Sequence, residues 1–262
     1  MQTNKGCISR LIFYFISLMK VRNYYYKFYQ ALSSIVLAII GYFCLHKCLL
    51  CSSNISNRGL CSICFKKINF IDDFCCKICG RKAVHEDFEC VNCVFGKRDY
   101  ELARSLIVFD SVSKKIIHTF KYNDNFGLAK LFANMANARY SEIFKVVDCV
   151  VPVPMHYLKR LIRQYNPANN LARYMAYSLK KSFLPNALKK VKLTKTQVNL
   201  SKQQRYKNLI GSIEIGTKCL IQGKNILLID DVMTTSSTAN LCSKILIQGG
   251  ALKVFVFTVA SL

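Results

Sequence analysis

The sequence predicts an α/β protein: a doubly wound parallel sheet with a small metal-binding module on its amino-terminal side. Three observations predict it. From Arg98 onward, short apolar runs alternate with segments of helical periodicity, the pattern of parallel strands joined by helical crossovers. One run, Ile226 to Ile229, is closed by two adjacent carboxylates and followed by five hydroxyl side chains, Thr234 to Thr238. Upstream, four Cys-x-x-Cys pairs lie between positions 48 and 93.

At 262 residues the chain can hold one sizeable domain and a small one. Three segments are expected: apolar helical sequence over 1–47, a double zinc ribbon over 48–96 and an α/β domain over 97–262. A hydrophobic content of 52% supports a packed core. The net charge is +24, from 38 Lys and Arg against 14 Asp and Glu. Such a surplus favours polyanionic partners: nucleic acid, phosphorylated metabolites or an anionic membrane face. A lysine-rich solvated surface would give the same figure.

In the first segment, Phe28 to His46 carries no formal charge, and Ala31 to Leu45 within it is strongly apolar. The run is near the lower length limit for a membrane span. Gln30, Ser33 and Ser34 dilute it, and positive charges flank both sides, so no orientation is set. An apolar helix packed on the protein, or an interfacial contact made by residues 28–46, is the expectation. No cleavable signal is evident. The expected location is cytoplasmic; the alternative is a peripheral or anchored protein at the inner face of the membrane.

The chain has 14 cysteines, but their spacing is not that of a disulfide scaffold. Eight form the pairs Cys48/Cys51, Cys61/Cys64, Cys76/Cys79 and Cys90/Cys93. In an intracellular protein such pairs are metal ligands. They also repeat: Cys48 to Cys76 is 28 positions, and Cys61 to Cys90 is 29. Two residues between ligands let one turn of backbone aim both sulfurs at one ion, and four sulfurs complete a tetrahedron around zinc. A closed four-thiolate shell has no open position, so both sites are expected to be structural. Sequential pairing within each repeat is preferred; a crossed arrangement, or Cys75 in place of Cys76, stays open. Cys7, Cys44, Cys75, Cys149, Cys219 and Cys242 read as small apolar fillers.

In the α/β segment, Ala103 to Phe109 reads as a strand, and Ser113 to Phe120 as a short helix with Ile116, Ile117 and Phe120 on one face. Gly127 to Tyr140 is a longer amphipathic helix carrying Leu128, Leu131, Phe132 and Met135 at helical spacing. Cys149 to Val153 is a strand broken by Pro152 and Pro154. Asn166 to Leu179 is a helix with Pro167 at its first position. Leu188 to Leu193, Ile226 to Ile229 and Val254 to Val259 read as further strands.

The richest chemistry lies at 226–239. A strand, a turn of hydroxyl residues and a helix start make an anion cradle, because the first N–H groups of a helix have no internal partner and sit at the positive end of its dipole. Thr234, Thr235, Ser236, Ser237 and Thr238 add rotatable donors suited to a phosphate. Ionised Asp230 and Asp231 only accept hydrogen bonds, which suits the vicinal diol of a ribose. Adjacent strand positions face opposite ways, so both acids reach one ligand only if the strand ends there and turns. Phosphate beside diol describes a sugar phosphate.

The residues Asp230, Asp231, Val232, Thr234, Thr235 and Thr238 resemble the phosphoribosyl-pyrophosphate signature of type I phosphoribosyltransferases. Ser236 stands where that signature has Gly, which takes φ > 0 freely, so a strained loop or a weaker hold on phosphate is expected.

Further segments are similar to one family, the ComF (ComF/GntX) competence-associated phosphoribosyltransferase-like proteins. They are Ile116 to Tyr122 with its Lys-Tyr end, Val151-Pro-Val-Pro-Met-His156, Arg163-Gln-Tyr-Asn166, and Lys190 to Gln197. Leu200, Ser201, Arg205, Asn208 and Gly211 follow at the family's spacing. The resemblance covers about residues 48–260 and implies a type I phosphoribosyltransferase-like doubly wound sheet joined to a zinc ribbon. It implies phosphoribosyl pyrophosphate as ligand, with Mg²⁺, and pentosyl transfer as the reaction, with Asp230 and Asp231 catalytic.

It further implies that Pro154 and Arg160 or Arg163 help hold pyrophosphate, and that Lys192, Thr194, Gln197 and Arg205 sit on a loop folding over the substrate. DNA uptake, and single-stranded DNA or the uptake machinery as partners, come from the resemblance too. The alternative is a nucleic-acid-binding accessory protein with a non-catalytic fold of this type. No signature for a purine, pyrimidine or amine acceptor is present.

Overall fold

The protein is described from a computed structural model, over residues 46–56, 59–85, 88–122, 126–158, 161, 165–192 and 211–262. Residues 1–45, and with them nearly all of the apolar run to His46, lie outside the described residues. The chain divides into two compact units: residues 1–47 with 54–57, and residues 48–53 with 58–262. In the first, β1 (His46–Lys47) pairs antiparallel with β2 (Asn54–Ile55). No described helix is long and apolar enough to cross a membrane.

The second unit opens with two short helices, α1 (Ser62–Lys66) and α2 (Val91–Val94), each beginning directly after a cysteine. Its centre is a five-stranded parallel sheet, whose strands are β3 (Leu102–Val108), β4 (Cys149–Pro152), β5 (Ser182–Phe183), β8 (Asn225–Met233) and β9 (Lys253–Ser261). They lie in the order β3-β9-β8-β4-β5. From β4 the chain passes first to β5 on one side and then to β8 on the other, which puts the topological switch between β4 and β8. Ligands of doubly wound sheets bind outside the carboxyl ends of the strands at such a point. A separate antiparallel ribbon joins β6 (Leu188–Lys190) to β7 (Ile213–Ile215).

Helices cover both faces, and β8 shows why its centre is apolar throughout. Leu227 and Ile229 face a core shared with α3 (Ser111–Tyr122), α4 (Phe126–Lys145) and α5 (Pro167–Leu179). Ile226 and Leu228 face the opposite core, shared with α6 (Ser237–Gln248) and the cysteines of the second repeat. A strand buried on both sides has no polar alternation.

Local signals set the helix starts. Asp110 Oδ1 accepts from the N–H groups of Val112 and Ser113, and Ser113 Oγ accepts from Asp110 N, a reciprocal cap that starts α3 two residues before the apolar pattern. Asn166 caps α5 by accepting from Ala168 N, with Pro167 at the first helical position. Its amide also donates to Val153 O, tying the helix start to the end of β4. The helix expected to stop at Tyr140 runs on to Lys145 across a kink there, where φ is −117° and ψ 23°.

The outer edge of β3 is covered rather than exposed. Ile71 N donates to Leu106 O and Val108 N to Asn69 O, and Ala103 N donates to Ile78 O. The cysteine-rich segment thereby caps a sheet edge that would otherwise offer unpaired backbone groups.

Candidate functional site

The strand β8 does not end at the acidic pair, contrary to the expectation. It runs on to Met233, with Asp230 opposite Thr258 and Val232 opposite Ala260 on β9. The ladder to β9 holds the backbone extended past the apolar run. Asp230 and Asp231 therefore point to opposite faces and straddle the sheet. Asp231 meets Lys121 of α3 at 3.0 Å. Asp230 lies on the other side, toward Lys190 and the buried thiol of Cys242. Both still line one cleft of about 660 Å³, because it opens over the strand's carboxyl end.

Asp230 Oδ1 accepts from Asp231 N at 2.8 Å. Burial, and then the neighbouring Asp231 charge, push the Asp230 carboxyl up to about 7, against the opposing pull of that N–H and of Lys121 and Lys190. A carboxyl so strongly shifted by desolvation and a neighbouring charge, in a cleft, marks a candidate functional group.

All five hydroxyl residues, Thr234, Thr235, Ser236, Ser237 and Thr238, line the same cleft. Thr235 and Ser237 hydroxyls share a 3.0 Å hydrogen bond, and Ser236 is the N-cap of α6. Ser236 has φ +60° and ψ 2°, the left-handed conformation in which glycine is free of strain. That geometry is what the signature's glycine would supply, so the turn keeps its shape at a backbone cost of about 1 kcal/mol. Ser236→Gly is accordingly expected to raise the melting temperature by roughly 2–4 °C, measured by circular dichroism. A lower melting temperature would mean that the seryl side chain contributes more than its backbone costs.

Two cleft residues, Lys114 and Lys121, carry charge that the motif reading did not assign. With Ile117 they form one stripe of α3, at spacings of three and four, facing the cleft. Their spacing was a usable signal; which way the stripe faced was not. Phe109, Val153, Thr258 and Leu262 complete the walls.

Pro154 follows Val153 at the end of β4 and is partly buried, and Lys192 follows β6, its ammonium near Gly211. Neither lines the cleft. Arg160, Arg163, Thr194, Gln197 and Arg205 lie outside the described residues.

The eight cysteines fall into two groups, Cys48, Cys51, Cys61, Cys64 and Cys76, Cys79, Cys90, Cys93, with the sulfurs of each within 4.8 Å of one another. These are the sequential sets; Cys75, His46 and His85 belong to neither. Cys51 and Cys61 sulfurs are 3.7 Å apart, and Cys79 and Cys90 sulfurs 3.6 Å. A zinc tetrahedron with Zn–S near 2.3 Å sets sulfurs about 3.8 Å apart, so the donor sets fit the ion.

Backbone donors also point at the sulfurs: Cys61 N at Cys48, Cys64 N at Cys61 and Cys90 N at Cys76. Burial opposes ionisation of Cys76, but N–H groups of residues 79, 90 and 78 outweigh it and lower the thiol to about 7. The guanidinium of Arg98 lies beside Cys93, and its buried Nε has no partner of its own, a donor suited to a thiolate shell.

Parallel strands that carry an acidic pair and then a hydroxyl turn to the sheet's switch point place the chain among the type I phosphoribosyltransferase-like α/β proteins. No family model matches it. It is 29% identical to Competence protein F of Haemophilus influenzae over 224 residues, spanning 82% of this chain and 96% of that one. Competence protein ComFC of Bacillus subtilis is 26% identical over 239 residues, spanning 82% and 95%. DNA utilization protein YhgH of Salmonella typhimurium is 25% identical over 208 residues, spanning 78% and 90%.

Among solved structures, adenine phosphoribosyltransferase of Saccharomyces cerevisiae is similar at 16% identity and a TM-score of 0.31, covering 58% of this chain and 69% of that one. Phosphoribosylpyrophosphate synthetase of Mycobacterium smegmatis is similar at 18% identity and a TM-score of 0.30, covering 51% of this chain and 33% of that one. Over about four-fifths of its length the chain is thus similar to competence and DNA utilization proteins.

Proposed function

We propose that the chain is a phosphoribosyltransferase of the ComF type, binding phosphoribosyl pyrophosphate in the cleft over β8, and that it serves DNA uptake. The observation that carries the reading is the gathering of Asp230, Asp231 and the Thr234–Thr238 turn around one 660 Å³ cleft. The names of the relatives support the link to DNA uptake.

In this reading the turn and the start of α6 hold the 5′-phosphate, and the two acids accept hydrogen bonds from the ribose hydroxyls. The acceptor attacks the anomeric carbon as the bond to pyrophosphate breaks, the leaving oxygen keeping the electron pair and the acceptor losing its proton. Positive charge gathers on the ribose ring, and in this reading the carboxylates of the cleft would favour that charge over the neutral ground state. Lys114 and Lys121, on the α3 wall, meet the negative charge of the diphosphate.

The cleft offers carboxylate and hydroxyl oxygens, the donor type that a hard cation takes, and Mg²⁺ on the diphosphate oxygens would offset the leaving-group charge. Zinc in the two cysteine groups is structural in this reading, since four thiolates close the shell.

Titration calorimetry with phosphoribosyl pyrophosphate and Mg²⁺ tests the proposal. The expected result is saturable binding that inorganic phosphate competes away. An absence of saturable heat from the zinc-loaded protein would overturn it.

A further inference from the structure

The second cysteine group and the hydroxyl turn are far apart in sequence but joined in space by Arg81. Its Nη2 donates to the carbonyl of Thr234 at 3.1 Å, across 153 positions of chain. Arg81 follows Gly80, next to the ligand-type residue Cys79, and its own carbonyl accepts from Cys76 N at 2.8 Å. The knuckle that carries it cannot shift freely. Gly80 has φ +65°, and a Cβ there would stand 2.4 Å from Ala103 O on β3. Ala103 N donates to Ile78 O at 2.7 Å, and Arg104 Nη1 donates to Lys77 O at 3.0 Å.

A second tie lies just beyond the repeat. Asn240, in the first turn of α6, accepts from Asp99 N and donates to Asp99 Oδ2, both at 2.9 Å. The turn is thus gripped from the cysteine side at its start and at the helix that follows it.

The held atom matters. In a trans peptide the C=O and the next N–H point in opposite directions. With the Thr234 carbonyl fixed toward Arg81, the Thr235 N–H is turned away from the knuckle. The next residue, Ser236, sits in its left-handed conformation, which persists only where the surroundings over-determine it.

We propose that Arg81 is a positioning residue for the hydroxyl turn, so that the second cysteine knuckle is part of the machinery that shapes the phosphate site. The inference rests on the phosphate reading of that turn given above. Arg81 acts through the Thr234 carbonyl and does not touch the ligand.

The test uses full-length zinc-loaded protein and two readouts. In Arg81→Ala, amide hydrogen exchange of the 233–239 segment should speed up by roughly fivefold, the loss of about 1 kcal/mol of local protection. The 76–93 segment and the zinc content should match wild type. Phosphoribosyl pyrophosphate should bind roughly fivefold more weakly. That ratio should be the same at low and high potassium chloride, because a lost hydrogen bond to a carbonyl is not screened.

Unchanged exchange in 233–239 would overturn the proposal. So would an affinity loss that vanishes at high salt, which would mark Arg81 as a simple counter-charge. Wild type failing to bind phosphoribosyl pyrophosphate would overturn the phosphate reading itself, whereas equal binding by wild type and variant would overturn only the role of Arg81.

Discussion

Asp231→Asn is expected to weaken phosphoribosyl pyrophosphate binding by about 10- to 100-fold, the cost of replacing a carboxylate acceptor facing a hydroxyl donor. Its effect on folding should be small, because the ion pair it breaks with Lys121 is partly exposed, the two side chains being 16% and 26% accessible. Asp230→Asn should weaken binding similarly but act differently on stability.

The Asp230 carboxyl titrates near 7 in the folded chain, above the usual carboxylate value of 3.8. Between those values the folded state holds a proton that the unfolded chain has released, so stability falls as pH rises through that window. The loss is complete above the folded value. Asn has no such charge to bury. Asp230→Asn should therefore leave the melting temperature nearly unchanged at pH 4 and raise it by roughly 3–6 °C at pH 8. In wild type, ligand affinity should grow from pH 6 to pH 8 as the carboxylate ionises. Thermal melts and titrations at both ends of the range check these signs; a melting gain equal at both pH values would rule out the buried-carboxyl explanation.

The same stretch shows how far the residues alone reach. The strand–acid–hydroxyl order of Ile226 to Thr238 was readable because each residue type has one obvious partner chemistry. The end of β8 was not, since apolar periodicity reports burial whereas strand length is set by the ladder, here by the pairing of Val232 and Met233 with β9. Helix starts were legible where a cap sits beside the apolar run, as at Asn166, and missed by two residues at Asp110, whose cap lies ahead of that run. The two cysteine groups were legible as sets because ligand spacing is a local property. Arg81 and Lys121 were not legible in their roles. Each acts on a partner more than a hundred positions away, and only the folded topology brings them together.

Loss of the second cysteine group should be far more damaging than loss of the first. Cys76, Cys79, Cys90 and Cys93 are all buried, and they share one apolar cluster with Ile226, Leu228, Met233 and Cys242. Cys51 is exposed, and Cys61 and Cys64 are only partly covered. A ligand substitution in the second group removes metal-derived folding energy and also opens the core under β8. Cys76→Ser should therefore lower the melting temperature by roughly 10 °C or more, or leave the protein insoluble, the range for losing about 3–5 kcal/mol. Cys51→Ser should shift the main transition by less than about 4 °C while halving the zinc content.

A graded chelator titration, followed by a zinc dye, should correspondingly release metal in two steps, the first from the Cys48 group. Because Arg81 is carried by the second knuckle, affinity for phosphoribosyl pyrophosphate should survive the first step and fall at the second. Simultaneous release of both ions, or equal melting losses in the two variants, would show that the groups fold as one unit and that burial does not set their stabilities apart.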